Sequence, residues 1–232
     1  MENNRLAVSS REVSEASFVS KVFLWMALGL GLSAAASFAL LAQPAVLKAI
    51  FTNNLLLIGL LVGELGLVIW LSAGAMRMSA SLAAALFALY SVLNGVTLTS
   101  IFLVYTGVSV LSTFAVTAGT FFFFSLYGAT TKKDLTSVAG LAMMGLIGVI
   151  LASVVNIFLK SPAVMWVSTF IGIAVFLGLI AYDTQKLKAI HAMGFESAEA
   201  EKRIAILGAL TLYLDFINLF ILLLRIFGKR RD

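Results

Sequence analysis

Apolar blocks of about twenty residues follow one another along the chain, each closed by a short polar break. They run over 22–41, 55–75, 81–104, 108–127, 138–159, 163–182 and 204–227. A hydrocarbon core of about 30 Å needs roughly 20 helical residues at 1.5 Å rise each, so every block is long enough to cross a bilayer. The blocks are continuously apolar, whereas barrel strands alternate over about ten residues, so helices are expected. The pattern predicts an all-α integral membrane protein with seven transmembrane helices. A polar tail, 1–21, precedes the membrane domain, 22–228, and a short basic tail, 229–232, follows it. Between spans only 183–203 is long and polar, which leaves no room for a soluble domain. "SAAAS" at Ser33 to Ser37 could pass for a signal-peptidase site, but the long polar lead and the unbroken apolar run to Leu41 argue for a retained first helix.

Composition names the solvent. With 61% hydrophobic and 12% charged residues and a mean hydropathy of +1.06, the chain has too little polar surface to cover itself in water. Lys and Arg in the loops set the orientation. With the N-terminus inside, Arg5, Arg11, Lys21, Arg77, Lys132, Lys133, Lys186, Lys188, Lys202 and Arg203 fall on the cytoplasmic face. Lys48, Lys160, Lys229, Arg230 and Arg231 fall on the other. This bias predicts a multi-pass protein of the cell membrane with a cytoplasmic N-terminus. Only a re-entrant last segment would return the tail "GKRRD" to the inside. The net charge of +5 is scattered over loop ends instead of forming a stripe, which fits anionic lipid as the partner and excludes nucleic acid. There is no cysteine. The one histidine, His191, is expected in a solvated loop, since one histidine builds no metal cluster. Gly29 and Gly31 follow no strand and read as helix-packing residues, and Phe121 to Phe124 with Met143 and Met144 read as lipid-facing or packing bulk. No cofactor is implied.

Chemistry is confined to the ionisable residues inside the spans. "TLYLDFINLFILLLRIFG" (Thr211 to Gly228) carries Asp215 well within the last block, where an ionised carboxylate costs about 2.5 kcal/mol or more. Glu64 lies midway through the second block, Arg77 just past its end, and Asp183 at the end of the sixth. At 100° per residue Thr211, Asp215, Asn218 and Arg225 lie within about 80° of one another, a face expected to look inward. Ser91, Asn94 and Thr97 of the third block, with Ser153 and Asn156 of the fifth, are candidates to line the same interior. The plainer account of these neutral groups is interhelical hydrogen bonding. Arg77 and Asp183 emerge on one membrane face and are candidates for a salt bridge.

"YD" at Tyr182 and Asp183, followed by an aspartate in the next block, resembles an intramembrane aspartyl protease. The likeness stops there. Asp215 follows "LYL" instead of Gly-x-Gly, and Pro44 and Pro162 are the sole prolines, so protease remains a remote reading and no catalytic residue is assigned.

A closer resemblance rests on "LNGVTLTSIF" (Leu93 to Phe102), "AYDTQKLK" (Ala181 to Lys188) and "LGALTLYLDFINLFILLLRIFG" (Leu207 to Gly228), in matching order from about Leu55 onward. These segments resemble the Bax inhibitor motif family, bacterial members most closely. The resemblance implies six helices surrounding a central seventh, and a pH-sensitive calcium leak. It implies that Asp183 and Asp215 form a proton-sharing pair at the pore, with transient contact to the permeating calcium, and that Arg77 latches Asp183. The second block is about two residues longer than in some relatives, which bears on the Arg77 assignment. Glu64 stands where family members carry an acid, and with Asn94, Thr97, Asn218 and Arg225 it is a candidate pore-lining residue. Physically, two acids brought close in a low-dielectric interior cannot both ionise cheaply and so share a proton. The main alternative is a modulator of a membrane-bound protease or of stress and cell-death machinery, acting through residues 1–21 as a disordered handle.

Overall fold

The computed structural model describes residues 2–74 and 77–231, and for 2–13 the backbone alone. Ala75, the expected end of the second span, lies outside the described residues, as do Met1 and Asp232. The helices are α1 (Glu2–Leu41), α2 (Pro44–Thr52), α3 (Asn54–Gly74), α4 (Ala80–Val104), α5 (Gly107–Thr130), α6 (Thr136–Leu159), α7 (Pro162–Ala192) and α8 (Ala198–Phe227). Among the described residues there is no strand, only an isolated bridge between Tyr105 and Arg230. All but α2 are long and apolar enough to cross a membrane.

Three features depart from the expectation. The nine residues of α2 form a helix opened by Pro44 at its first turn, where a missing N–H costs nothing. The connection expected over 183–203 is mostly helical, because α7 continues to Ala192 and α8 already begins at Ala198. A helix of 31 residues is roughly 46 Å long and outreaches the hydrocarbon core. Hydropathy ends where the core ends, but "TQKLKAIHA" is made largely of good helix formers and carries the helix on. Likewise α1 is helical from Glu2. The 30 residues of α8 contain no break of the kind a re-entrant segment requires.

Large apolar side chains face outward along most spans, as they must where the surroundings are acyl chains. The Phe121 to Phe124 run divides accordingly. Phe122 is 67% and Phe123 65% exposed, whereas Phe121 is buried with its ring 5.5 Å from that of Phe216. The most apolar stretch of α8 is 67% buried, against 39% or less for every other span.

The chain forms two compact units, residues 1–104 with 190–213, and residues 105–189 with 214–232. In the first unit "SAAAS" is a packing face within α1. A Cβ on Gly95 of α4 would overlap the Ser33 backbone, and Ser37 Oγ donates to the Gly95 carbonyl at 2.5 Å. Small residues here let two backbones approach. In the second unit Gly128 of α5 does the same against the Ala181 backbone of α7.

Candidate functional site

In the second unit α7 and α8 are joined through polar groups at two levels. Near one end Arg225 Nη1 donates to Thr169 Oγ1 at 2.9 Å. Further along, Asp183 and Asp215 lie near enough for each carboxyl to act on the other. Ionised carboxylates only accept, so a hydrogen bond between the two would need a proton on one of them. Asp183 is half-buried and Asp215 is 5% exposed. Asp215 Oδ2 has no partner among the described residues. The surroundings of α8 here are aromatic, with Phe216 edge-on to Phe114 at 5.2 Å and to Phe121 at 5.5 Å. Asp215 is thus enclosed by apolar groups, while the half-buried Asp183 also feels the Lys186 ammonium through space.

The first unit holds a second buried acid. Glu64 on α3, 8% exposed, accepts from Thr97 Oγ1 at 2.5 Å and from Asn94 Nδ2 at 3.2 Å, both on α4. The amide oxygen of Asn94 accepts from the Tyr213 hydroxyl at 2.9 Å, and that hydroxyl is 2.6 Å from Ser33 Oγ on α1. The Ser91 carbonyl, 2.7 Å from Ser33 Oγ, is an alternative acceptor for that one serine proton, while Phe87 and Tyr90 pack edge-on against the Tyr213 ring. Sequence reading singled out Glu64, Ser91, Asn94 and Thr97 but missed Ser33 and Tyr213. The available signal was a tyrosine among aliphatic residues two places before Asp215, because a buried tyrosine hydroxyl usually finds a partner.

Other expected residues fare differently. Thr211 and Asn218 are exposed and turn back onto the carbonyls of Leu207 and Leu214, so the supposed inward face of α8 does not share one environment. Asn156 closes the end of α6 by accepting from the Ser161 N–H at 2.8 Å, and Ser153 is exposed; neither joins a polar interior. Arg77 is exposed in the turn after α3, its N–H bonded to the Gly74 carbonyl. Arg77 and Asp183 belong to different units. His191 is not a solvated loop residue. It lies in the last turn of α7, its ring stacked at 5.3 Å on the fully buried Phe18 and its Nε2 3.2 Å from Ser14 Oγ. No group of three or more His, Cys, Asp or Glu side chains converges among the described residues.

Seven membrane-length helices and buried acids on the spans define a polytopic helical membrane protein with an ionisable interior. The family can be named. The chain belongs to the Bax inhibitor family, since the family model described as "Inhibitor of apoptosis-promoting Bax1" matches residues 15–232. It is 51% identical over 215 residues to the inner membrane protein YbhL of Escherichia coli K12, covering 92% of each chain. It is 42% identical over 215 residues to a protein of Borreliella burgdorferi, covering 93% of each. A membrane protein of Streptococcus pyogenes serotype M6 is 33% identical over 229 residues, covering 98% of this chain and 99% of its own.

Proposed function

We propose that this protein is a pH-sensitive, calcium-permeable leak of the cell membrane, its N-terminus in the cytoplasm, in which Asp183 and Asp215 are the sensor. The observation that carries the reading is the closeness of the two carboxyls, with Asp215 buried, a pair that in this reading holds one proton. Losing its single proton places two negative charges together, and such charges a few Å apart repel by about 4 kcal/mol at an effective dielectric of 20. The protonated pair is neutral save for one charge, and the deprotonated pair offers oxygen ligands to a hard cation in passage. Calcium here is cargo, not a resident cofactor. Arg77 enters as a latch for Asp183, on the strength of the family likeness and of the membrane face the two share in the N-inside topology. Glu64, Asn94, Thr97, Asn218 and Arg225 remain candidates to line the path. No catalytic role is proposed.

The test is calcium flux into liposomes holding the purified protein, measured across pH. A protein-dependent flux that changes with pH supports the reading. A flat, protein-independent signal overturns it and favours the modulator of a membrane-bound protease.

A further inference from the structure

The turn between α5 and α6 and the C-terminal part of α7 form an open cleft of about 350 Å³ whose lining includes Lys132, Lys133, Asp134, Tyr182, Gln185 and Lys186. Its walls are fixed. Gln185 accepts from the Leu135 N–H at 3.0 Å and donates to the Lys133 carbonyl at 2.8 Å, holding the turn against α7. Lys186 lies 6.0 Å above the Tyr182 ring. The single carboxylate of the lining, Asp134, accepts from the hydroxyl and N–H of Thr136 at 2.6 and 2.9 Å. Three exposed ammonium groups face that one carboxylate, so the cleft is cationic.

The fold sets the depth of the cleft. Residues 131–135 connect two spans, and a bilayer is crossed within about 20 residues of the start of α7 at Pro162, which brings Tyr182 to Ala189 to the headgroup layer. A basic hollow at that level, with the Tyr182 hydroxyl among its lysines, has the chemistry of a phosphate receptor. We propose that this cleft binds the phosphate of an anionic membrane lipid headgroup. The ammonium of Lys186 also acts on Asp183, so a bound headgroup would compete for the charge that faces the carboxyl pair; this consequence alone rests on the function proposed above.

The test reads binding without flux. The delipidated full-length protein in detergent is titrated with phosphatidylglycerol, with phosphatidylcholine and with inorganic phosphate, and retained lipid and thermal stability are measured. Phosphatidylglycerol should bind and stabilise selectively. Each lysine removed should weaken it about five-fold, so Lys132→Gln, Lys133→Gln and Lys186→Gln together should cost about a hundred-fold. Lys48→Gln with Lys202→Gln should leave it unchanged. Equal retention of phosphatidylcholine, or an unaffected triple variant, overturns the site. Inorganic phosphate stabilising as well as the lipid does would overturn the headgroup as its source. Should the liposome flux fail while selective lipid binding stands, the leak falls and the cleft does not.

Discussion

Asp183 and Asp215, 32 positions apart in sequence, are brought close to each other on α7 and α8 within the second unit. Two acids so placed do not titrate independently, since a charge on one opposes ionisation of the other. The acid in the middle of an apolar helix thus has a neighbour of its own kind.

Asp215→Asn keeps the shape of the side chain and removes one titrating member. The calcium flux of this variant should lose most of its pH dependence while the protein stays folded. Glu196→Gln, in the exposed turn after α7, should leave the profile unchanged. A folded Asp215→Asn protein with the wild-type profile would remove the sensor assignment.

If Arg77 restrains Asp183, Arg77→Ala and Asp183→Ala should each raise basal flux, and Asp183→Ala should also lose pH response. The double variant should leak no more than about the worse single one, because two changes that break one interaction are not additive. Multiplying effects would mean that the two residues act separately, and the latch would have to be dropped.

Truncation separates the leak from the tail-mediated modulator, provided that the cut respects α1. Phe18 and Val22 are fully buried, and Lys21 pairs with Glu201 at 2.7 Å. Deleting residues 2–13 should therefore preserve both stability and flux. Deleting residues 2–22 should destabilise the first unit by about 1.5–3 kcal/mol for each buried side chain lost. Loss of function in the shorter deletion, with the protein folded, would favour a partner-binding tail.

Much of this is legible in the sequence. The seven spans follow from block length alone, and Asp215 and Glu64 declare themselves because a carboxyl in an apolar run has few physical excuses. What hydropathy could not show is where helices outlast the membrane, as α7 does past Lys186, since polar helix formers and polar loops score alike. Nor could helical phase tell which polar groups meet. Thr211 shares a face with Asp215 yet bonds to its own helix, while Tyr213, counted among the apolar residues, turns out to link Asn94 to Ser33. Those pairings depend on which neighbouring backbone comes close, and that information lies in other segments of the chain.

Tyr213→Phe should test that network. The substitution keeps the ring packing against Phe87 and Tyr90 but strips the hydroxyl from Asn94 and Ser33. A loss of about 1–3 kcal/mol is expected for a buried polar group left without its partner. Thermal unfolding in detergent measures it, and an unchanged transition would mean that the hydroxyl contributes nothing to holding α1, α4 and α8 together.

Two glycines of α5 offer the sharpest contrast. Around Gly119 a Cβ would meet nothing within 4 Å, so Gly119→Ala should be neutral or stabilise the helix by up to about 1 kcal/mol. At Gly128 the same methyl would overlap the carbonyl, and closely approach the Cα, of Ala181. Backbone atoms cannot swing aside as a side chain can. Gly128→Ala must therefore part α5 from α7, at a cost of about 1–3 kcal/mol for an overpacked contact. The strain falls two residues before Asp183, so the geometry of the carboxyl pair should change with it. The expected result is a lower unfolding temperature together with a displaced, not abolished, pH midpoint of flux. That combination distinguishes a shifted pair from the missing member of Asp215→Asn. Equal unfolding temperatures for the two alanine variants would show that α5 and α7 do not meet at Gly128, and the support that the contact gives to Asp183 would go with it.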